Sequence, residues 1–221
     1  MKKVKFIVFI CLFILLPLAY FNGFIRISDL TSEQESIAKK YGGVYVFDEK
    51  LEREIDKREG ERNKVNKEIL KEVSNIQDKE EQNKQLRLLL QEKFYDNPKL
   101  ERVLSNGKRY YSRKDNIKID NYKILNNYEE KLKEFMGKDY DQYENYLSIN
   151  LGYFYIDNDT IVPISIGIST LYTEVIFGLY GDEASGIKFT KENTQRLIGD
   201  NKFYFIDNKF QKINKWTLLK I

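Results

Sequence analysis

The sequence of 221 residues contains no histidine, one cysteine, three prolines and one tryptophan. Without histidine, and with its only cysteine at Cys11 inside an apolar segment, the chain cannot form a Ser-His-Asp or Cys-His nucleophile system. The usual zinc sites, built from His and Cys, are excluded for the same reason. Enzyme chemistry would have to use carboxylates, serine with lysine, or tyrosine. A disulfide within the chain is also excluded, so packing must stabilise the fold.

The sequence also lacks a strong excess of either charge. It has 37 Lys and Arg against 34 Asp and Glu, a formal net charge of +3. Four of the basic residues, Lys2, Lys3, Lys5 and Arg26, flank one apolar run, and the remaining charges nearly cancel. The other lysines are interleaved with Glu and Asp, whereas nucleic-acid binding needs a clustered basic face. We therefore expect no nucleic acid partner.

Polar residues are almost missing from the 20 positions at 6–25. As a helix this run would span roughly 30 Å, the thickness of a bilayer's hydrocarbon core. The run predicts a transmembrane anchor whose large apolar side chains face lipid; among them are Phe6, Phe9, Phe13, Leu16 and Ile25. Three lysines precede the run and Arg26 alone closes it, which predicts a cytoplasmic tail at 1–5 and an extracytoplasmic domain at 28–221, in the periplasm or at the cell surface.

Two other interpretations of this run remain open. A cleaved signal peptide has the same basic start and apolar middle, but small residues precede its cleavage site. Here Pro17 and Phe21 lie just before the candidate sites after Ala19 and Gly23. Lipidation of Cys11 is less favoured, because no small residue comes directly before it. An uncleaved anchor agrees best with the sequence.

Local signals in the following residues predict the start of an α+β domain. Thr31 and Gln34 have the spacing of a capping box, which predicts a helix from there to Lys40. The apolar run at 44–47 predicts a short strand. Asp48 is placed to cap the helix that follows.

Residues 49–94 predict a long charged helix. They contain no proline, and their apolar residues form one stripe with the helical period. The stripe is interrupted by charged residues, Arg62 among them. Ser74 marks a weak point, and Asp78 has the spacing to start a helix again. We expect one long helix, or two nearly collinear helices, packed on the domain or on a partner.

The part at 145–221 predicts a mainly antiparallel β-sheet with helices on one side. The expected strands, with one earlier strand, are 109–112, 147–156, 160–169, 171–180, 202–206, 210–213 and 216–219. The expected helices around this part are 128–136 and 190–198, the second capped by Thr190 and stopped by Gly199. Asp157 and Asp159 resemble a calcium loop, but Ile161 stands where an oxygen ligand is needed, so a hairpin turn is favoured.

Three carboxylates are candidates for a binding or catalytic site. Glu174 lies among apolar residues of a predicted strand, and Asp182 and Glu183 follow in the next loop. Two carboxylates about 5 to 10 Å apart are enough for a glycosidase. The alternative is ordinary surface charge on the solvated face of the sheet and in its loop.

Tyrosines form a second candidate group. Tyr140 and Tyr143 belong to a series with a spacing of three residues, and aromatic rings with polar tips suit protein or carbohydrate surfaces. The rings suit packing in the sheet equally well, and packing is the favoured interpretation. Asp139 belongs to a nearby acidic group that suits either a cation or a helix start. The sequence predicts no cofactor and no metal site.

These observations favour a single-pass binding protein of the bacterial cell envelope. Its expected partners are the lipid bilayer and an envelope protein or glycan, and an immunity-like protective role is one form of this function. Two alternatives come from other classes of protein. One is a cell-wall hydrolase that uses paired carboxylates, and the other is a structural tether with the long helix as its spacer.

Overall fold

The computed structural model describes residues 2–115, 117–118, 123–124, 127–181 and 186–212. These residues form a mixed α+β fold, as the sequence predicts. The α-helices are α1 (Lys2–Ile10), α2 (Leu16–Phe21), α3 (Ser32–Tyr41), α4 (Glu49–Val73), α5 (Lys79–Leu90), α6 (Asn127–Met136) and α7 (Lys138–Tyr143). Short π-helices cover Cys11–Leu15 and Gln91–Tyr95, and 3-10 turns cover Pro98–Leu100 and Glu144–Tyr146. The strands are β1 (Asn22–Ser28), β2 (Gly43–Val46), β3 (Tyr110–Ser112), β4 (Lys123–Ile124), β5 (Leu147–Leu151), β6 (Tyr153–Asp157), β7 (Thr160–Pro163), β8 (Ser165–Tyr180), β9 (Lys188–Ile198), β10 (Asn201–Ile206) and β11 (Lys209–Lys212).

The chain divides into two compact units. The first comprises the described residues up to Gly43, Asp139–Ser148 and Ile168–Asn201. The second comprises Val44–Lys138, Ile149–Gly167 and the described residues from Lys202. The strand predicted at 216–219 lies outside the described residues.

The apolar run begins in three consecutive helical segments that end at Phe21. The predicted helix extended to Ile25, but Asn22–Ser28 forms strand β1 instead. Asn22 and Gly23 are weak helix formers, and the edge of β8 offers backbone partners to the residues that follow. Within the described residues, no helix has both the length and the apolar character required to cross a membrane.

Helix α3 of the first unit has both ends capped. The Thr31 hydroxyl accepts from the Gln34 amide at 3.1 Å, and the Gln34 side chain accepts from the Thr31 amide at 2.8 Å, which confirms the predicted capping box. At the other end, a Cβ atom added to Gly199 would lie 2.3 Å from the carbonyl oxygens of Ala38 and Gly42. Only glycine permits so close an approach between these backbones.

Strand β8 is the strand of the first unit's sheet with which β1 and β9 both pair. Its residues Glu174–Gly178 pair with β1, and residues from Ser169 to Tyr180 pair with β9, both in antiparallel register. The helix predicted at 190–198 is therefore wrong. Ten residue pairs with β8 stabilise an extended β9, so a long-range partner overrides the local cap signal of Thr190.

The long charged helix of the second unit is divided and folds back on itself. Helix α4 ends at Val73, and the Asp78 carboxylate accepts from the Glu81 amide at 2.8 Å to start α5. The break and the cap were predicted, but the collinear arrangement is wrong. Lys93 forms an ion pair with Glu72 at 2.7 Å, so α5 and the following π-helix run back along α4.

The second unit contains two sets of strands. One sheet has the order β3-β6-β7-β4, in which only β4 and β7 are parallel among the pairs with known register. In the other set, β10 lies between β2 and β11. The predicted turn at Asn158 and Asp159 is confirmed, since both residues have the positive φ of a tight hairpin, 47° and 59°.

Aromatic rings fill part of the core of the second unit. The Tyr45 ring is fully buried and stacks on Phe203 with a centroid distance of 4.8 Å. Phe135 and Phe210 pack edge-on against Tyr45 at 5.9 and 5.0 Å. A second cluster joins α4 to the strands through Leu51, Ile55, Leu104, Tyr110 and Ile164. This second cluster positions the polar site described next.

Candidate functional site

The second unit carries a cleft of about 560 Å³ beside helix α4. Three arginines contribute to its wall, together with two aromatic rings and two carboxylates. The lining residues are Arg62, Phe94, Tyr95, Leu100, Glu101, Arg102, Val103, Arg109 and Asp115. The lining residues come from three parts of the sequence, at 62, 94–103 and 109–115. The fold therefore assembles the site from segments that are distant in the sequence.

Glu59 of α4 holds Arg102, one of the arginines of the cleft wall. One of its oxygens, Oε1, accepts from Arg102 Nε at 2.8 Å and from the Tyr110 hydroxyl at 2.8 Å. Tyr110 is fully buried, and this burial, followed by the hydrogen bond to Glu59, raises the pKa of its hydroxyl. The hydroxyl therefore remains a neutral donor to the carboxylate at physiological pH.

Arg102 is held between two carboxylates. Its Nη1 donates to both oxygens of Asp115, at 2.8 and 3.0 Å, while Nε donates to Glu59. Burial alone would lower the pKa of Arg102, but the hydrogen bonds and charges of the carboxylates raise it. Burial likewise opposes ionisation of Asp115, and donors on Ser112 together with the Arg102 charge lower its pKa below the ordinary value. Arg102 is thus a structural cation.

Arg62 has a different environment. Its guanidinium lies 4.5 Å from the centre of the Phe94 ring, and Nη1 donates to the Leu100 carbonyl. Its Nε is buried and lies 3.4 Å from Glu59 Oε1, an ion pair without hydrogen-bond geometry. Arg62 is therefore held by Glu59, the Phe94 ring and the Leu100 carbonyl, and it forms part of the cleft wall.

Arg109 is the exposed cation of the cleft. Its guanidinium lies 5.9 Å from the centre of the Tyr111 ring, and no carboxylate pairs with it among the described residues. A guanidinium presents a planar set of donors that matches a carboxylate or a phosphate. The cleft therefore has the chemistry to bind an anionic group through Arg109, with Phe94 and Tyr95 offering apolar contact beside it.

Glu174 has a structural partner in the first unit. Its carboxylate lies 3.5 Å from Arg26 Nη1, and its side chain is 19 % exposed. Arg26 belongs to β1, whose residue Ser28 pairs with Glu174 in the ladder. Asp182 and Glu183 lie outside the described residues, so the paired-carboxylate site stays a prediction.

The two predicted tyrosines differ in exposure. Tyr140 is buried, with 3 % of its surface exposed, which favours packing for its ring, and the binding role stays a prediction. Tyr143 is half-buried, and its hydroxyl accepts from Gln142 Nε2 at 3.1 Å.

Asp139 pairs with Lys40 at 2.8 Å and accepts from the Tyr41 hydroxyl at 2.7 Å. Among the described residues, no three His, Cys, Asp or Glu side chains are grouped to hold a metal ion.

The predicted anchor residues are found in two kinds of element. Phe6, Phe9, Phe13 and Leu16 lie in the helical segments and are 52 to 66 % exposed. Ile25 lies in β1.

The sequence did not predict the cleft. Its one signal was Arg62, which falls on the apolar stripe of α4 where a solvated charge is not expected. Arg102 and Arg109 come from the segment after α5; the approach of Arg102 to Glu59, and the place of both arginines in the cleft wall, depend on long-range packing.

Comparisons with known protein families, curated proteins and solved structures found no match for this chain. Its function is therefore argued from its own residues.

Proposed function

We propose that this chain is a single-pass membrane protein of the bacterial cell envelope whose extracytoplasmic part binds an anionic group of an envelope protein or glycan. The observation that carries the proposal is the exposure of the N-terminal helical segments. Between Val4 and Leu18, eleven large apolar side chains are 47 to 66 % exposed. So large an apolar surface on a water-facing helix is unfavourable, and a lipid environment removes that cost. An immunity-like role, in which an incoming protein is bound at the membrane, belongs to the same proposal.

The anchor is tested by retention in the membrane. We expect the full chain to stay in the membrane fraction after alkaline carbonate extraction, and protease added to the outer side to remove residues beyond 28. Phe9→Lys together with Phe13→Lys should abolish retention, because each lysine at mid-bilayer costs about 2.5 to 3.5 kcal/mol. Ile198→Lys, at a side chain 70 % exposed in β9, is the control and should be retained. A mature chain that begins after Ala19 would contradict the proposal.

The cleft supports the binding part of the proposal. Arg109 is exposed and has no acidic partner among the described residues, and the Arg62 guanidinium lies beside Phe94 in the cleft wall. An acidic side chain or an acidic sugar would meet a guanidinium and an aromatic face together. Such charge-assisted pairs give both energy and orientation.

The test of the cleft uses the two arginines that flank strand β3, Arg109 before it and Arg113 after it. Partners are captured from native membranes by chemical cross-linking to the full chain, and Arg109→Ala is expected to reduce capture about tenfold, equivalent to about 1.4 kcal/mol. Arg113→Ala removes the same charge at an exposed residue outside the cleft lining and should leave capture unchanged. Equal effects of the two variants would show that only overall charge matters and would overturn the role of the cleft.

The alternative functions receive less support. A tether would use residues 49–94 as a rod, whereas α5 runs back along α4 and shortens the segment. The hydrolase depends on carboxylates of which two lie outside the described residues, and Glu174 is paired with Arg26.

A further inference from the structure

The β8–β9 hairpin of the first unit ends in exposed apolar side chains. Leu179, Ile187 and Phe189 are 57, 71 and 55 % exposed. They surround the last cross-strand pair, Tyr180 with Lys188. We call these five residues the hairpin tip. We propose that the hairpin tip inserts into the surface layer of the lipid bilayer, and this inference rests on the proposed anchor.

The register of the first unit places the hairpin tip beside the end of the apolar helix. The chain leaves α2 at Phe21 and enters β1 directly, where Asn22 pairs with Gly178 of β8. The ring of Tyr20 in α2 lies 5.5 Å from the ring of Phe177. The last turn of the helix thus contacts the strand two residues before the tip begins. A membrane entered by this helix lies at the same end of the sheet as the tip.

The composition of the hairpin tip matches a bilayer surface. Apolar side chains gain free energy in the interfacial layer, and tyrosine is favoured at the level of the headgroups. Lys188 and Lys191 are exposed on β9 and form no ion pair with an acidic side chain among the described residues, so their charges are available to anionic headgroups. Lysine side chains also reach toward the headgroups while their aliphatic stems remain in the apolar layer.

The hairpin tip is held together by its backbone. A Cβ atom added to Gly181, which has φ of +113°, would lie 1.8 Å from the Gly186 carbonyl oxygen. The absence of a Cβ at Gly181 permits this close approach, and the pairing of Tyr180 with Lys188 places the three apolar side chains at one end of the hairpin. Lipid is the occupant that the neighbouring helix already implies, whereas a protein partner would have to share this end with the membrane.

The test compares two isoleucines at opposite ends of β9, Ile187 directly before the strand and Ile198 as its last residue. Ile187 in the tip and Ile198 at the other end of β9 are 71 and 70 % exposed, and the eleven residue steps from one to the other correspond to roughly 35 Å of strand. In the full chain with Cys11→Ser, which removes the only native cysteine, Ile187→Cys or Ile198→Cys is labelled with an environment-sensitive fluorophore. Each protein is reconstituted into vesicles of phosphatidylcholine and phosphatidylglycerol that contain lipids spin-labelled near the headgroup.

We expect the spin-labelled lipids to quench the label at position 187 at least three times more strongly than the label at 198. Equal quenching at the two positions, in a chain that carbonate does not extract, would overturn the hairpin-tip inference and leave the anchor intact. Extraction of the chain by carbonate would overturn both. A third variant, Phe189→Ser with the label at 187, should weaken quenching while the chain remains membrane-bound, since only the tip has lost apolar surface.

Discussion

Asn201→Asp is expected to destabilise the first unit by about 3 kcal/mol or more. The Asn201 side chain is buried, and its Nδ2 donates to the carbonyls of Lys39 at 2.8 Å, Lys40 at 3.4 Å and Gly42 at 2.8 Å. It therefore caps the C-terminus of α3, although 160 residues separate it from that helix in the sequence. An ionised aspartate cannot donate and would place a second oxygen against the carbonyls, at the negative end of the helix dipole.

The free energy of unfolding is measured by urea titration of the full chain in detergent, with amide exchange reporting on α3. Asn201→Ala loses the hydrogen bonds without adding a charge, so its loss should be smaller than that of the aspartate variant. The loss in free energy of unfolding of the Asn201→Asp variant should also become smaller at acidic pH, because protonation removes the charge of the aspartate. Asn63→Asp, at an exposed position on α4, controls for the change in charge. Equal losses in the alanine and aspartate variants would show that repulsion from the carbonyls is not the cause.

Lys202→Met is expected to destabilise the second unit by about 2 kcal/mol at neutral pH. Lys202 of β10 forms an ion pair with Glu52 of α4, whose side chain is only 6 % exposed and whose Oε2 has no hydrogen-bond partner. Removal of one partner of a fully buried pair typically costs about 3 to 5 kcal/mol. The Lys202 side chain is 39 % exposed, so solvent screens part of this interaction and the smaller figure applies.

The pH dependence of this loss has a defined sign. Burial raises the pKa of Glu52, and the hydrogen bond and charge of Lys202 oppose that rise. Without Lys202 the pKa of Glu52 rises further, so the variant binds a proton more readily when folded than when unfolded. The stability that protonated Glu52 contributes to the variant should therefore be lost as the pH rises through the pKa of Glu52 in the folded variant. The deficit relative to the native chain should shrink as the pH falls toward the ordinary carboxyl value of about 4.3.

Glu52→Gln combined with Lys202→Met tests the cause. The neutral amide needs no counter-ion, so the double variant should recover most of the loss at neutral pH. Lys209→Met, at an exposed lysine of β11, is the matched control and should change the free energy of unfolding by less than about 0.5 kcal/mol. A pH-independent deficit that the double variant does not repair would assign the effect to lost packing of the lysine stem.

The site was harder to predict than the elements that carry it. Asp48, Asp78 and Thr31 each act on an amide three residues away, so their spacing was sufficient to place three helix starts. The cleft depends on Arg102, which donates to Glu59 across 43 residues of sequence. It also depends on Arg109, which can bind an anion because no acidic side chain among the described residues pairs with it. Sequence spacing carries no information about such approaches.

Residues 190–198 show the limit of local signals most clearly. Thr190 and Gly199 have the chemistry of helix ends, yet β8 offers this segment a ladder of backbone partners. A helix of nine residues is marginal in water without packing, whereas pairing along a strand satisfies its backbone groups at once. The ion pair of Glu174 with Arg26 could not be predicted from local signals either, because it forms only when β1 lies beside β8.

Composition and short-range chemistry were enough to establish the absence of histidine chemistry, the apolar N-terminal run, the helix caps and the hairpin turn at Asn158. Each of these depends on residue identity, or on atoms within a few residues of one another. Packing over long sequence distances decided the return of α5 along α4, the strand at β9, the Asn201 cap on α3 and the arginine cleft. In these cases the free energy comes from partners that only the folded chain brings together.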